Sequence, residues 1–253
     1  MLKIRNLNTI GEIEYQGIFI IESKNIDKLI TNFYKYEYEN NEDVFLINSK
    51  SYSIQDVIII SNLTRLTDLY NLTTKNVLTK MVTNDDNLNI ENNIDKIKFL
   101  NSLDVVNRKI GGNLLNLNFD KVKILKSLIS LDDSIFIDKE MLLNWMDNYD
   151  STTKPFIILN NINFINVSLI EKYINKFNIL IITNDLFNFV DEYEELEISS
   201  LEKNEDLILI NNYLPIHSWI ENKINNFKLS YEKSFNLLKN NKFLILELLN
   251  NLN

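Results

Sequence analysis

Between positions 108 and 126 the chain carries Arg108, Lys109, Lys121, Lys123 and Lys126, with Asp120 as the only acid among them. From about Phe119 the spacing predicts a helix in which Val122, Leu125, Leu128 and Ile129 share one arc. Lys123, Lys126, Ser127 and Ser130 occupy the other. Ammonium groups about one turn apart beside hydroxyls suit phosphate oxygens, which take such contacts without reading base sequence. Arg65, Lys75, Lys80, Lys96 and Lys98 on flanking helical segments would extend the surface. A solvated helix face has the same composition, so the pattern by itself leaves both readings open.

Two further groups could do chemistry. Asp132 and Asp133, followed by Asp138 and Glu140, are carboxylates of the kind that collect around calcium, which takes roughly 6 to 8 oxygens. Their spacing departs from a regular calcium loop, and Asp138 is equally a helix cap. Adjacent acids at Asp85-Asp86 and Asp132-Asp133 also keep a divergent metal-dependent nuclease open as an alternative. The second group is the stretch from Gly17 to Tyr36, which writes a buried strand (Ile18 to Ile21), a polar turn (Glu22, Ser23, Lys24, Asn25) and an amphipathic helix. A nucleotide enzyme keeps its phosphate loop in this position. That loop needs glycines to aim backbone N–H groups at one anion, and a Lys with Ser or Thr for phosphate and metal. Here the glycines are missing and Glu22 stands where phosphate would sit. The strand Phe156 to Asn160 likewise ends in amides, Asn160 and Asn161, where a hydrolase would put a metal-holding Asp. These features predict a nucleotide-enzyme scaffold without its hydrolysis site, hence a non-catalytic binding protein with no nucleotide cofactor.

The elements that must position these residues follow from apolar spacing. Strands are predicted near 2–6, 12–15, 17–21, 43–48 and 55–60, with a helix near 25–36. From Leu63 to Tyr149 the spacing turns helical (Ile94, Ile97, Val105), with loops at Thr83 to Asn93 and at Gly111-Gly112. Strands return at Pro155 to Asn160, Ile179 to Thr183 and Leu207 to Ile210, with a helix near 166–176 between the first two. Short strands joined by a helical crossover mean parallel pairing. The expected organisation is an α/β head from residues 1–62 and 153–213, an inserted helical leg at 63–152 and a helical extension at 214–253. Phe243, Leu244, Ile245, Leu246, Leu248 and Leu249 make that extension too apolar to stand alone, so it should pack on the body or on another subunit.

Composition narrows the classes. The 253 residues contain no cysteine, which excludes disulfides, thiol nucleophiles and thiolate zinc sites. The one histidine, His217, is expected at a surface or half-packed position without a catalytic role. No apolar run approaches a membrane span and the start lacks a signal-peptide stretch, so a cytoplasmic protein with no membrane partner is expected. The net charge is −9, and residues 185–206 hold nine acids against Lys203, so all but one unit of it lies there. That run reads as a solvated loop and helix face, and it leaves room for a basic surface elsewhere.

Several segments together resemble the accessory adaptation protein of subtype II-A CRISPR systems. They are Ile18-Phe-Ile-Ile-Glu-Ser-Lys-Asn-Ile-Asp-Lys-Leu-Ile, Asp56-Val-Ile-Ile-Ile-Ser-Asn-Leu-Thr-Arg-Leu-Thr-Asp-Leu, the Leu131-Asp-Asp turn, Pro155-Phe-Ile-Ile-Leu-Asn and Asn178-Ile-Leu-Ile-Ile. They occur in order over roughly residues 1 to 213. The resemblance implies a degenerate phosphate-loop-ATPase-like head with a helical leg, and four copies closing a ring around double-stranded DNA. It also implies calcium binding, no catalytic activity, and partnership with the adaptation integrase and the CRISPR effector nuclease in acquiring spacers. Carried onto this chain, Arg65, Lys75, Lys80, Arg108, Lys109, Lys121, Lys123 and Lys126 become the DNA-facing set, and Asp132, Asp133, Asp138 and Glu140 the calcium candidates. An inactive ATPase-like subunit that binds only proteins is the alternative of another class.

Overall fold

A computed structural model describes every residue except 10, 86–94, 151, 242, 243, 246 and 248–253, and for Lys121 the backbone only. The chain divides into two compact units, Met1–Leu63 with Ser151–Asn253, and Thr64–Asp150. The first is a mixed α/β structure built on a 7-stranded, mostly parallel sheet, in the order β2-β10-β9-β3-β8-β7-β6. Its strands are β2 (Asn8–Thr9), β3 (Ile18–Ser23), β6 (Ile58–Ser61), β7 (Phe156–Asn160), β8 (Asn178–Thr183), β9 (Ser199–Lys203) and β10 (Asp206–Ile210). Only the β9–β10 pairing is antiparallel. A separate antiparallel sheet joins β1 (Leu2–Ile4), β4 (Phe45–Ile47) and β5 (Lys50–Tyr52).

Strand β3 is the hub. Parallel strands covered on both faces read as continuous apolar runs, and Ile18 to Ile21 are all buried, as are all six residues of β8. Helix α1 (Ile26–Asn40) follows β3 because Asn25 caps it, its side chain accepting the Lys28 N–H at 3.0 Å. Its Leu29 and Phe33 face the core, where Phe33, Phe45, Phe156 and Tyr52 stack edge to face with centroids 5.0, 4.9 and 5.6 Å apart. Near the helix end, Glu37 accepts from the N–H groups of Val44 and Ile54 and from the Ser53 hydroxyl at 2.7–2.9 Å, fixing the small sheet's loop to α1.

Two details decide how β3 begins and ends. Gly17, just before it, has φ +112°, and a Cβ there would lie 2.8 Å from the Ile174 Cβ, so both conformation and space demand glycine. The Tyr15 hydroxyl donates to the Gly17 carbonyl at 2.9 Å and accepts the Ile179 N–H at 2.8 Å, joining the entries of β3 and β8. At the other end the Glu22 carboxylate accepts the Leu186 N–H at 2.9 Å, and the Ser23 hydroxyl donates to Glu202 at 2.7 Å. The side chains of the polar turn are thus tied to the segment after β8 and to β9.

Several expectations are corrected. The strand expected at 12–15 is an isolated bridge between Leu2 and Ile13, and the edge strand is β2 instead. The helix expected near 166–176 is a single turn, α7 (Val167–Ile170), followed by a 3-10 turn at Glu171–Tyr173. Part of the acidic run is not solvated: it holds β9, wedged between β3 and β10, with Ser199 and Ser200 fully buried. Their hydroxyls donate to the Leu196 and Ile20 carbonyls, so small polar residues meet the sheet without an orphaned group. His217, on α8 (Leu214–Ile224), is 6% exposed rather than at the surface; its Nδ1 lies 2.9 Å from the Ser234 hydroxyl on α9 (Tyr231–Asn240). The same hydroxyl lies 2.8 Å from that of Tyr213, whose pKa burial pushes up to about 12. In the extension Leu244 is buried, and Phe243, Leu246, Leu248 and Leu249 lie outside the described residues.

The second unit is helical: α2 (Leu66–Leu69), α3 (Val77–Asn84), α4 (Lys96–Ile110), α5 (Lys121–Leu128) and α6 (Lys139–Asn148). Thr83, expected in a loop, belongs to the last turn of α3, and the loop's greater part, with Asp86 and Ile94, lies outside the described residues. Gly111 ends α4 in the left-handed region at φ +80°. Among the described residues no helix is long and apolar enough to cross a membrane.

Replacing Gly17 by Ala should lower unfolding free energy by about 3 kcal/mol through backbone strain and the Ile174 clash; urea titration with an unchanged slope checks it. Burial first, opposed by the Leu186 N–H, raises the Glu22 pKa, so its contribution is most favourable below the unfolded value and is lost as pH rises through the folded one. Glu22→Gln keeps an acceptor for Leu186 without the buried charge. It should therefore be more stable than the parent near pH 7, with the difference fading as pH falls to about 4; paired melts across that range read it directly.

Candidate nucleic-acid interface

All the basic candidates lie in the helical unit. Lys123 and Lys126 are exposed on α5, which Asp120 caps by accepting the Lys123 N–H at 3.1 Å. On the arc expected to be apolar, Leu125 is buried and Val122 and Ile129 are half-buried, whereas Leu128 is 70% exposed, so the expected division holds in part. The Lys123 ammonium also lies 3.6 Å from Asp120, a pair with the lysine 78% exposed, which holds it only weakly. Lys121 opens the same helix, its side chain being outside the described residues. Arg108 and Lys109 are exposed in the last turn of α4, where positive charge offsets the helix dipole.

Of the remaining bases, three are more committed. Lys80 on α3 bonds the Asp150 carboxylate at 2.8 Å, and Lys96 lies 4.6 Å from the centre of the Phe119 ring. Arg65 precedes α2, takes the Asp68 carboxylate on its backbone N–H at 2.8 Å, and places its guanidinium 3.5 Å from Asp133. Lys75 is exposed in the turn before α3. The least engaged of the candidate cations are therefore Lys75, Arg108, Lys109 and Lys126, with Lys123 next.

The four acidic candidates each have a local task or stand apart. Asp132 accepts from the Ser134 N–H at 2.9 Å and hydroxyl at 2.6 Å, donors that hold its carboxyl below the usual carboxylate range. Asp133 faces Arg65, and Asp138 caps α6 by accepting the Met141 N–H at 2.8 Å. Glu140 is exposed in the first turn of that helix. Among the described residues no three His, Cys, Asp or Glu side chains come together as a metal centre requires.

Sequence reading did not single out α4 as a surface. Asn107 is its one buried residue, bonded twice to the Leu115 backbone at 2.8 Å, while Ile97, Phe99, Val105 and Ile110 are 50–73% exposed. Apolar exposure on this scale makes α4 a candidate contact surface for another molecule. Its 3.6-residue spacing was visible in the sequence; that these side chains are exposed among the described residues was not.

No protein-family model and no curated protein matches this sequence. Among solved structures, the fold is similar to that of Stu0660 of Streptococcus thermophilus, with a TM-score of 0.55 and 14% identity over 92% of this chain and 81% of that one. At that identity the likeness establishes a shared fold.

Proposed function

We propose that this protein is a non-catalytic, sequence-independent binder of double-stranded DNA ends, working as a homotetrameric ring in CRISPR spacer acquisition. The observation that carries the reading is the exposed basic set Arg108, Lys109, Lys123 and Lys126 on a helical unit, beside an α/β unit whose phosphate-loop position is closed by Glu22. Cations on helix faces meet phosphates and carry no base code, which gives affinity without sequence preference.

Charge dictates the assembly. Thr64–Asp150 contains eleven Lys and Arg against thirteen Asp and Glu, so one copy offers a patch rather than a basic domain. A few phosphate contacts per copy reach useful affinity only when several copies engage one duplex. The apolar exposure of α4 supports contact with further protein, which a ring requires. A closed ring loads from a free end, so end preference follows from topology. The head is then a degenerate phosphate-loop-ATPase-like platform, and the adaptation integrase and effector nuclease are its partners.

Gel retardation of one plasmid, closed circular and linearised, tests this. Linear duplex should be retained at low salt and closed circles several-fold less well; equal retention of both would contradict end loading. Changing Lys121, Lys123 and Lys126 to Glu should weaken retention by a factor of ~100 or more and flatten the salt dependence, with the assembly's mass unchanged. Undiminished retention by that variant would remove these lysines from the interface, and no retention of either plasmid form by the parent would favour the protein-only subunit.

A further inference from the structure

The carboxyl end of the large sheet holds a crevice that the DNA reading does not use. Strands β3, β6, β7 and β8 run parallel and end together, and β8 and β9, consecutive in the chain, lie on opposite sides of β3. In open α/β sheets, ligands bind outside the carboxyl ends of the strands where the order switches in this way. Here the crevice measures about 550 Å³, within the range of small-molecule sites.

Its lining is unusual in kind. Asn25, Asn62, Asn160, Asn161 and Asn184 all contribute, and the nearest charges, Lys24 and Asp27, balance. Most of the amides are already engaged: Asn25 caps α1, Asn62 donates to the Asn161 carbonyl at 3.0 Å, and Asn161 accepts the Asn184 N–H at 3.4 Å. Asn160, at the end of β7, is different, because its Oδ1 is buried and has no hydrogen-bond partner. Native proteins seldom leave a buried acceptor unmet, and such an atom marks a place completed by a ligand or water. The terminal torsion of an asparagine is soft, so the amide can turn Oδ1 toward the crevice it lines. Ile26 and the 78% exposed Leu63 supply apolar walls beside the amides.

We propose that this crevice binds a neutral purine base of the adenine type, read by Asn160. An asparagine amide sets an acceptor and a donor side by side, and an adenine edge presents the matching N6 amino donor and N7 acceptor. Lys24 is the one lining cation and Glu22 closes the adjacent turn, so a polyphosphate gains nothing from this site. The sheet keeps the position of a nucleotide site with the specificity moved from phosphate to base.

Calorimetric titration of the whole protein with adenosine, and separately with MgATP, tests the assignment. Adenosine should bind saturably at one site per chain, and MgATP no more tightly. Asn160→Leu removes both the orphaned acceptor and the reading amide, so it should raise the adenosine Kd at least tenfold while its melting point stays at or above the parent's. Should that variant fold poorly, amide NMR of the parent supplies the second readout: adenosine should shift the resonances of Asn160, Asn161 and Asn184. No heat and no shifts with adenosine would mean that water alone fills the crevice, and would overturn the proposal. So would MgATP binding tenfold tighter than adenosine, or unchanged adenosine binding by a folded Asn160→Leu. Retention of linear duplex by that variant should equal the parent's, so failure here and failure of the DNA reading are separable.

Discussion

A carboxylate at the end of the central strand governs what this molecule can do. Glu22 lies where the chain leaves β3, fixed by the Leu186 N–H, with Ser23 tied to Glu202 next to it and Asn25 capping the following helix. At an effective dielectric near 20, two like unit charges about 4 Å apart repel by ~4 kcal/mol. A phosphate seated beside Glu22 would meet a repulsion of that order without the ring of backbone donors that offsets it in phosphate loops. Two of the turn's donors, the Ser23 hydroxyl and the Asn25 N–H, are already taken by Glu202 and by Ser23, which leaves fewer for an anion. The proposed function accordingly rests on surfaces rather than on a hydrolysis centre.

Those surfaces lie in the helical unit. Opposed charges of nearly equal number mean that no long-range field draws DNA to one chain, and the local grouping on α4 and α5 is what remains. Exposed Ile97, Phe99, Val105 and Ile110 share α4 with Arg108 and Lys109. A helix that offers apolar surface along its length and cations at its end is built for a setting in which protein and polyanion are both close. In the proposed ring, chain association would supply the multiplicity that phosphate binding needs.

Much of the α/β architecture was legible in the sequence because its strands obey one rule. Strands β3, β7 and β8 are covered on both faces and therefore spell unbroken Ile, Leu and Phe, and the Asn25 cap announces α1. Strand β9 broke the rule: Ser199, Ser200 and Glu202 are strand residues because β3 and β10 supply backbone partners, and only the tertiary pairing shows this. His217 was misplaced for a related reason, since its burial depends on Ser234, Tyr213 and Tyr231, contributed from the loop before its helix and from α9. In the candidate site, the buried Leu125 and the exposed Lys123 and Lys126 of α5 were readable from period alone, and the exposure of Leu128 was not. That Asp133 meets Arg65 and that Asp132 turns onto Ser134 could not be read, because both depend on which loop atoms come together in space.

The proposed ring would underlie both the affinity and the end preference, and the solution mass of the purified protein tests it most directly. Multi-angle light scattering at micromolar concentration should return four times the 29.8 kDa chain mass. A particle of 29.8 kDa that persists on adding linear duplex would contradict a collar around DNA.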